Sequence, residues 1–301
     1  MTGALQQELV AALEERRAPN FSLASKAKWV RALDGLLVAG GIDAAAHGLD
    51  HFERMAPDLV WAPNMRRIIS LTPPADPALP AFKDVKSLDV QVAPIAGAET
   101  VVLAFCGQHH RIGFHTPLFY RFIQSRGWSL VFLRDFQGVH YLNGVAGLGP
   151  DRASSVAALR DLIARLGARR VLCLGNSSGG YGALLYALEL GADAALNFSG
   201  GTNLDPEFNT HLNRAQGSLE LRATFPGEEL DLRARYLAAA RRPRAMLVYG
   251  EYCWDDRLHA EHMADVPGAQ LVPFAEFEGH GSIAEAVQRE TFESLLADLA
   301  A

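Results

Sequence analysis

The chain has 301 residues, with 49% hydrophobic and 21% charged residues and a net charge of −6. This composition suits a globular protein with a sizeable core. With no basic excess to neutralise phosphates it excludes a main role in nucleic-acid binding, and no apolar stretch reaches the length of a membrane span.

The opening "MTGALQQELVAALEERR" interleaves charge with apolar positions and lacks the apolar centre of a secretory leader. Residues 1–72 read as a helical appendage. "ASKAKWVRALDGLLVAGG" puts Trp29, Leu33, Leu36 and Leu37 on one side, and Gly40 and Gly41 break the pattern before "DAAAHGLDHFERMAP". The order Trp29, Leu36, Gly40, Ala45, Leu49, Pro57 resembles one tetratricopeptide repeat, an architecture that works by stacking copies. Such helices offer a surface for a protein partner or for self-association. Their alternative is a helical appendage with no binding role. Residues 73–84 follow as a connector stiffened by Pro73, Pro74, Pro77 and Pro80.

From residue 85 to the end the pattern changes. "VKSLDVQVAPI" alternates as an edge strand of an antiparallel pair would. Short apolar strands are then expected at 101–106, 129–133, 171–174, 194–198, 245–249 and 270–274, with helical stretches such as "RASSVAALRDLIARLG" and "IAEAVQRETFESLLADLA" between or after them. Alternating strands and helices imply an α/β fold whose mostly parallel sheet is covered by helices. Residues 199–231 interrupt the alternation, as a lid or pocket wall does. Cys106, Cys173 and Cys253 form an odd set with neither metal-ligand spacing nor a disulfide framework, which points to a reducing, cytoplasmic setting.

The stretch "VLCLGNSSGGYGALLYALELG" runs an apolar strand into Gly175-Asn176-Ser177-Ser178-Gly179 and then into a helix. Ser177 alone sits at the centre of G-x-S-x-G, because Ser178 would need a glycine at 176. A nucleophile on a sharp strand-to-helix turn brings the chain close to itself, and glycines two before and two after remove colliding side chains. The helix carries Tyr181, Leu184, Leu185 and Leu188 on one face, has Gly191 as its end, and points a positive dipole at the serine. A glycine-rich structural turn is the rival, since the pentapeptide alone occurs by chance. Neither a dinucleotide fingerprint nor a phosphate loop fits the spacing. A serine nucleophile needs a base oriented by an acid. Acids appear in "LVYGEYCWDDRLHAEH", and His280 lies between Gly279 and Gly281 ahead of the last helical stretch. The order Ser…Asp…His favours catalysis.

With these elements, residues from about 85 onward resemble the α/β-hydrolase superfamily. "VLCLGNSSGGYGALLYALELGADAALNFSGGTNLD" and "LRDFQGVHYLNG" are similar to bacterial members linked to surface polysaccharides, glycan O-acyl-modifying enzymes among them. The resemblance implies Ser177 as nucleophile, His280 as base and an acid from the loop at 251–256. It also implies an oxyanion hole from the N–H groups of Ser178 and Gln108. The expected function is acyl-enzyme chemistry on an ester or thioester, as an esterase, a thioesterase or a glycan O-acyltransferase acting on a small-molecule or glycan substrate. A catalytically silent binding or scaffold protein on the same fold is the alternative. The chain departs from the superfamily at Cys253, three residues past Gly250, where the acid commonly stands. Asp256 is favoured because a helix should begin at "DRLHAEHM". Asp255 is read as its capping neighbour, and Glu251 stands too close to the strand end. His109 and His110 lack companion ligands, so neither metal nor cofactor is expected. Arg134 and Asp135 are read either as a grip on polar substrate or as a structural ion pair.

Overall fold

The computed structural model describes residues 2–79, 81–212 and 215–301. Pro80 of the expected connector and residues 213 and 214 of the expected insert lie outside them. Four helices come first: α1 (Thr2–Glu14), α2 (Lys26–Val38), α3 (Ile42–Met55) and α4 (Trp61–Leu71). Trp29, Leu33, Leu36 and Leu37 are all buried, as their spacing demands. Gly48 lets α3 approach α1 and α2, because a Cβ there would meet Leu9 and come within 2.8 Å of Leu33. No helix or strand occurs among the described residues between Leu71 and Val90.

The rest of the chain runs β1 (Val90–Ala93), β2 (Thr100–Phe105), α5 (Thr116–Gln124), β3 (Ser129–Leu133), α6 (Arg152–Leu166), β4 (Arg170–Asn176), α7 (Ser178–Leu190) and β5 (Ala194–Phe198). It continues with α8 (Pro206–Asn209), α9 (Ala215–Thr224), α10 (Leu232–Ala238), β6 (Arg244–Gly250), α11 (Trp254–Glu261), β7 (Ala269–Phe274), α12 (Ser282–Gln288) and α13 (Phe292–Ala300). The strands form one sheet in the order β1-β3-β2-β4-β5-β6-β7. β1 lies antiparallel on β3 at the edge, with Val90 opposite Leu133. All other pairs are parallel. Among the described residues, no helix is long and apolar enough to cross a membrane.

Residues alternate between two apolar layers, as the strand period requires. Val102, Ala104, Leu172, Leu174 and Leu196 face one layer, whereas Val101, Leu103, Phe105, Cys173 and Leu247 face the other. The first layer also holds Leu9, Trp29, Leu37 and Phe52, so the four N-terminal helices share an apolar cluster with one face of the sheet. The C-terminal stretch, expected as one helix, is two. Glu290 at φ 60° turns the chain, and the Thr291 N–H reaches the Ala286 carbonyl at 2.9 Å. The break swings Phe292 into a group of rings, 5.1 Å from Phe122 and 5.9 Å from Phe198.

Two charged clusters tie the N-terminal segment to the turn after β2. Arg134 is fully buried and pairs with Asp84 at the end of the connector. Its Nε donates to the His110 carbonyl at 3.2 Å, and its Nη1 donates to the Leu88 carbonyl at 2.6 Å. On α2, Asp34 accepts from Arg111 at 3.2 and 3.3 Å and from His115 Nε2 at 2.8 Å. The His115 hydrogen bond, with the charges of His115 and Arg111 added, lowers the Asp34 pKa to about 2.

Removing one partner of a buried pair strands the other charge, at about 3–5 kcal/mol. Asp84→Ala should therefore lower unfolding stability by about that amount in urea titrations. Asp84→Leu combined with Arg134→Met should be milder than either single change. Asp34 generates a pH-dependent expectation. Its carboxyl falls from 3.8 to about 2 on folding, so its contribution is present above pH 3.8 and disappears as the pH falls through about 2. Asp34→Asn should cost about 1 kcal/mol at neutral pH once solvent screening is allowed for. The gap from the parent should close below pH 3.8; a gap independent of pH would rule out the ionised cluster as its source.

Candidate active site

The chain leaves β2 for β3 on one side and returns to β4 on the other. Such a switch opens a crevice beyond the carboxyl ends of the two strands, where open α/β sheets bind ligands. Ser177 follows β4 there, and the turn at 107–111 follows β2.

Ser177 has φ 56° and ψ −126°, a strained backbone for a residue with a side chain. Its N–H donates to the Phe198 carbonyl at 2.9 Å, and its carbonyl accepts from Gly180 N–H at 2.8 Å. The flanking glycines are required by contact. A Cβ on Gly175 would collide with the Gly179 carbonyl, and one on Gly179 would collide with the Phe105 carbonyl. Ser178 opens α7, so its N–H has no intrahelical acceptor. The expected end of that helix is also present: Gly191 is its C-cap at φ 68°.

Ser177 Oγ lies 2.8 Å from His280 Nε2. On the other side of the ring, Nδ1 is 2.8 and 3.0 Å from the two carboxylate oxygens of Asp256. A carboxylate only accepts, so Nδ1 donates to it, and in the neutral ring Nε2 is left to accept the serine proton. Asp256 is buried while the His280 side chain is 44% exposed, so the ring bridges a buried charge and an open cleft. Ser199 Oγ donates to Ser282 Oγ at 2.6 Å, which ties the end of β5 to the helix entered just after His280. No sequence pattern marked that bond.

The three acids considered in the 251–256 loop separate in space. Asp256 lies in the first turn of α11 and reaches His280. Glu251 accepts from the Glu276 backbone N–H at 3.0 Å. Asp255 is not the cap expected of it, because Cys253 is the N-cap and Asp255 stands inside the helix. The Cys253 thiol is half-buried beside Asp256, and desolvation together with the Asp256 charge pushes its pKa up to about 11.

On the β2 side, Gly107 N–H donates to the Arg111 carbonyl at 3.0 Å and His110 N–H to the Gly107 carbonyl at 2.9 Å. This tight turn carries the exposed Gln108 at the cleft, and a Cβ on Gly107 would come within 3.2 Å of the Ser177 Cβ. Arg134 and Asp135 do not grip anything in the cleft. Arg134 is buried against Asp84, and Asp135 caps the following turn through the N–H groups of Gln137 and Gly138, each at 3.0 Å, and of Tyr141 at 2.9 Å. His110 stacks edge-on to Phe136 at 4.7 Å, and His109 lines the cleft. Among the described residues neither histidine belongs to a three-ligand group; the group present is Cys253, Asp256 and His280.

The cleft over Ser177 has a volume of about 1250 Å3. Its wall is about evenly polar and apolar, with Gln108, His109, Gln137, His140, Asn209 and Glu220 among the polar lining residues. Leu204, Leu221 and Thr224 show that the insert at 199–231 walls one side, as its irregular sequence implied.

No family model and no curated protein matches the chain. It is similar to the solved structure of an S-formylglutathione hydrolase from Agrobacterium tumefaciens at 17% identity, over 70% of this chain and 88% of that one, with a TM-score of 0.49. A capsule O-acetyltransferase of Neisseria meningitidis serogroup A is similar at 15% identity, over 74% of this chain and 96% of that one, with a TM-score of 0.47. A dienelactone hydrolase from Anabaena variabilis is similar at 15% identity, over 70% and 89% of the two chains, with a TM-score of 0.44. The helix-covered, mostly parallel sheet with a serine turn at the end of β4 has the α/β-hydrolase fold.

Proposed function

We propose that this protein is a serine-dependent acyl hydrolase or acyltransferase. Ser177 Oγ attacks the carbonyl carbon of an ester or thioester while His280 Nε2 takes its proton. Asp256 holds the ring in the required tautomer and stabilises the imidazolium that forms. The N–H groups of Ser178 and Gln108 receive the oxyanion, aided by the N-terminus of α7. The tetrahedral intermediate collapses, the alcohol or thiol leaves with the proton from His280, and an acyl-Ser177 ester remains. A water or a sugar hydroxyl, deprotonated by the same nitrogen, then accepts the acyl group.

One observation carries this reading: the unbroken hydrogen-bond chain from Ser177 Oγ through His280 to Asp256, on a strained turn that aims the hydroxyl into a cleft. A silent scaffold has no need to hold that backbone strain and that alignment together. The hydrogen-bonding side chains within that mixed wall support a hydroxyl-rich acceptor such as a glycan, because an acceptor with many hydroxyls needs many hydrogen-bonding partners.

A fluorophosphonate probe should label the full-length protein and should fail to label Ser177→Ala. Turnover of p-nitrophenyl acetate should fall in that variant by about four orders of magnitude or more, as should turnover of His280→Ala. Labelling that survives in Ser177→Ala and vanishes in Ser178→Ala would overturn the assignment of the nucleophile. Asp256→Asn should lower kcat by about three to four orders of magnitude, because the ring loses its orienting charge and its tautomer. Asp255→Asn should change kcat by less than about threefold, because the carboxylate that meets the ring is that of Asp256. Equal damage from both changes would sink the choice of Asp256.

A further inference from the structure

Cys253 introduces a ligand type that the proposed acyl transfer does not use. Its Sγ, one oxygen of Asp256 and one ring nitrogen of His280 all lie within 4.8 Å of one another. A thiol, a carboxylate and an imidazole at this separation form the mixed S, O, N set that suits zinc, which binds them at about 2.3, 2.1 and 2.0 Å and commonly leaves a fourth position for water. The nitrogen turned toward Asp256 is Nδ1, so a metal here takes the place of the proton now shared between that nitrogen and the carboxylate. Thiolate and carboxylate together supply two negative charges, which neutralise a divalent cation.

We propose that Cys253, Asp256 and His280 Nδ1 form an inhibitory zinc site that switches the serine off by reversing the imidazole tautomer. This rests on the proposed role of His280 for its consequence, though not for the metal binding itself. The proton balance is direct. Zn2+ displaces the thiol proton to solvent and takes the Nδ1 lone pair, and the neutral ring then carries its proton on Nε2. With Nε2–H facing Ser177 Oγ, no lone pair remains to accept the serine proton. No redox partner is required, and removal of zinc restores the thiol and the Nδ1–H form. The other two cysteines, Cys106 and Cys173, are buried, so a thiolate signal from added metal reports on Cys253.

The test uses the full-length protein and Co2+ as a spectroscopic stand-in for Zn2+. Co2+ should produce a thiolate-to-metal charge-transfer band in the near ultraviolet, in the parent and equally in Ser177→Ala, which lacks no proposed ligand. Cys253→Ala and Cys253→Ser should lose the band. Zn2+ should inhibit p-nitrophenyl acetate turnover reversibly, with recovery on adding a chelator. Each variant is normalised to its own zinc-free rate. Loss of the sulfur ligand should raise the inhibition midpoint by more than about tenfold, since even outer-sphere partners of a metal are worth that much. Absence of the band in the parent overturns the metal site, whatever the ester assay shows. A band with equal zinc sensitivity in the parent and both Cys253 variants overturns the switch. A band in a protein with no zinc-free turnover supports the site and instead overturns the acyl-transfer reading.

Discussion

The backbone of Ser177 is held at φ 56° and ψ −126°, a conformation that costs a side-chain-bearing residue about 1–3 kcal/mol. It persists because its surroundings fix it from several sides. β4 and β5 pair up to Asn176 and Phe198, and the Ser177 N–H then closes onto the Phe198 carbonyl. Gly175 and Gly179 allow the chain to pass within contact distance of itself, and α7 packs into the apolar layer on one face of the sheet through Tyr181, Leu184 and Leu185. Ser199, at the end of the neighbouring strand, is also left-handed at φ 50° and reaches to Ser282 beside the His280 loop. Strain at one residue is thus distributed over two strand ends and two helices.

The facing wall of the crevice is braced differently, by charge. The turn at 107–111 has few apolar anchors of its own, since Gln108 and His109 are exposed and His110 adopts φ 56°. It is fixed from beneath by Arg134 on the His110 carbonyl and from the side by Asp34 on Arg111. Both braces reach into the N-terminal part of the chain, one through Asp84 in the connector and one through α2. The helices that share the sheet's apolar layer therefore also hold the turn carrying Gln108. In the proposed acyl transfer a rigid donor at that position matters, because an oxyanion donor stabilises charge only when no reorganisation is needed as the charge forms.

Local patterns were legible where they had one cause. The strands at 129–133 and 194–198 match β3 and β5 because both faces are covered and every residue is apolar or tightly packed. The antiparallel edge strand was legible from its alternation, and the serine turn from its glycines. What stayed hidden depends on partners distant in sequence. Asp34 is 77 residues from Arg111 and Asp84 is 50 from Arg134, and nothing local distinguishes such acids from solvated surface charge. Of the two readings of Arg134, the substrate grip fails for this reason, because its burial depends on a residue in the connector, whereas the structural ion pair is present with Asp84 in place of Asp135. The split of the last helix was hidden because Glu290 is an ordinary helix former, and only the ring cluster around Phe292 makes the break worthwhile.

The place of Asp256, the proposed acid, follows from helix geometry. In the superfamily that the sequence resembles, the acid commonly stands three residues beyond the strand-ending glycine, at the place of Cys253. Here Cys253 is the N-cap of α11 and Asp256 lies three residues further, within the first turn. Positions three apart share a helix face, so a carboxylate at 256 projects over the same spot as a side chain at 253. Starting the helix at Trp254 thus carries the charge to His280 Nδ1 without moving the strand or the histidine loop. It also leaves the vacated place to a thiol, 64%-exposed Trp254 marking where the loop turns out into solvent. The sulfur beside the carboxylate is a consequence of that one-turn displacement, and so is the grouping of Cys253, Asp256 and His280.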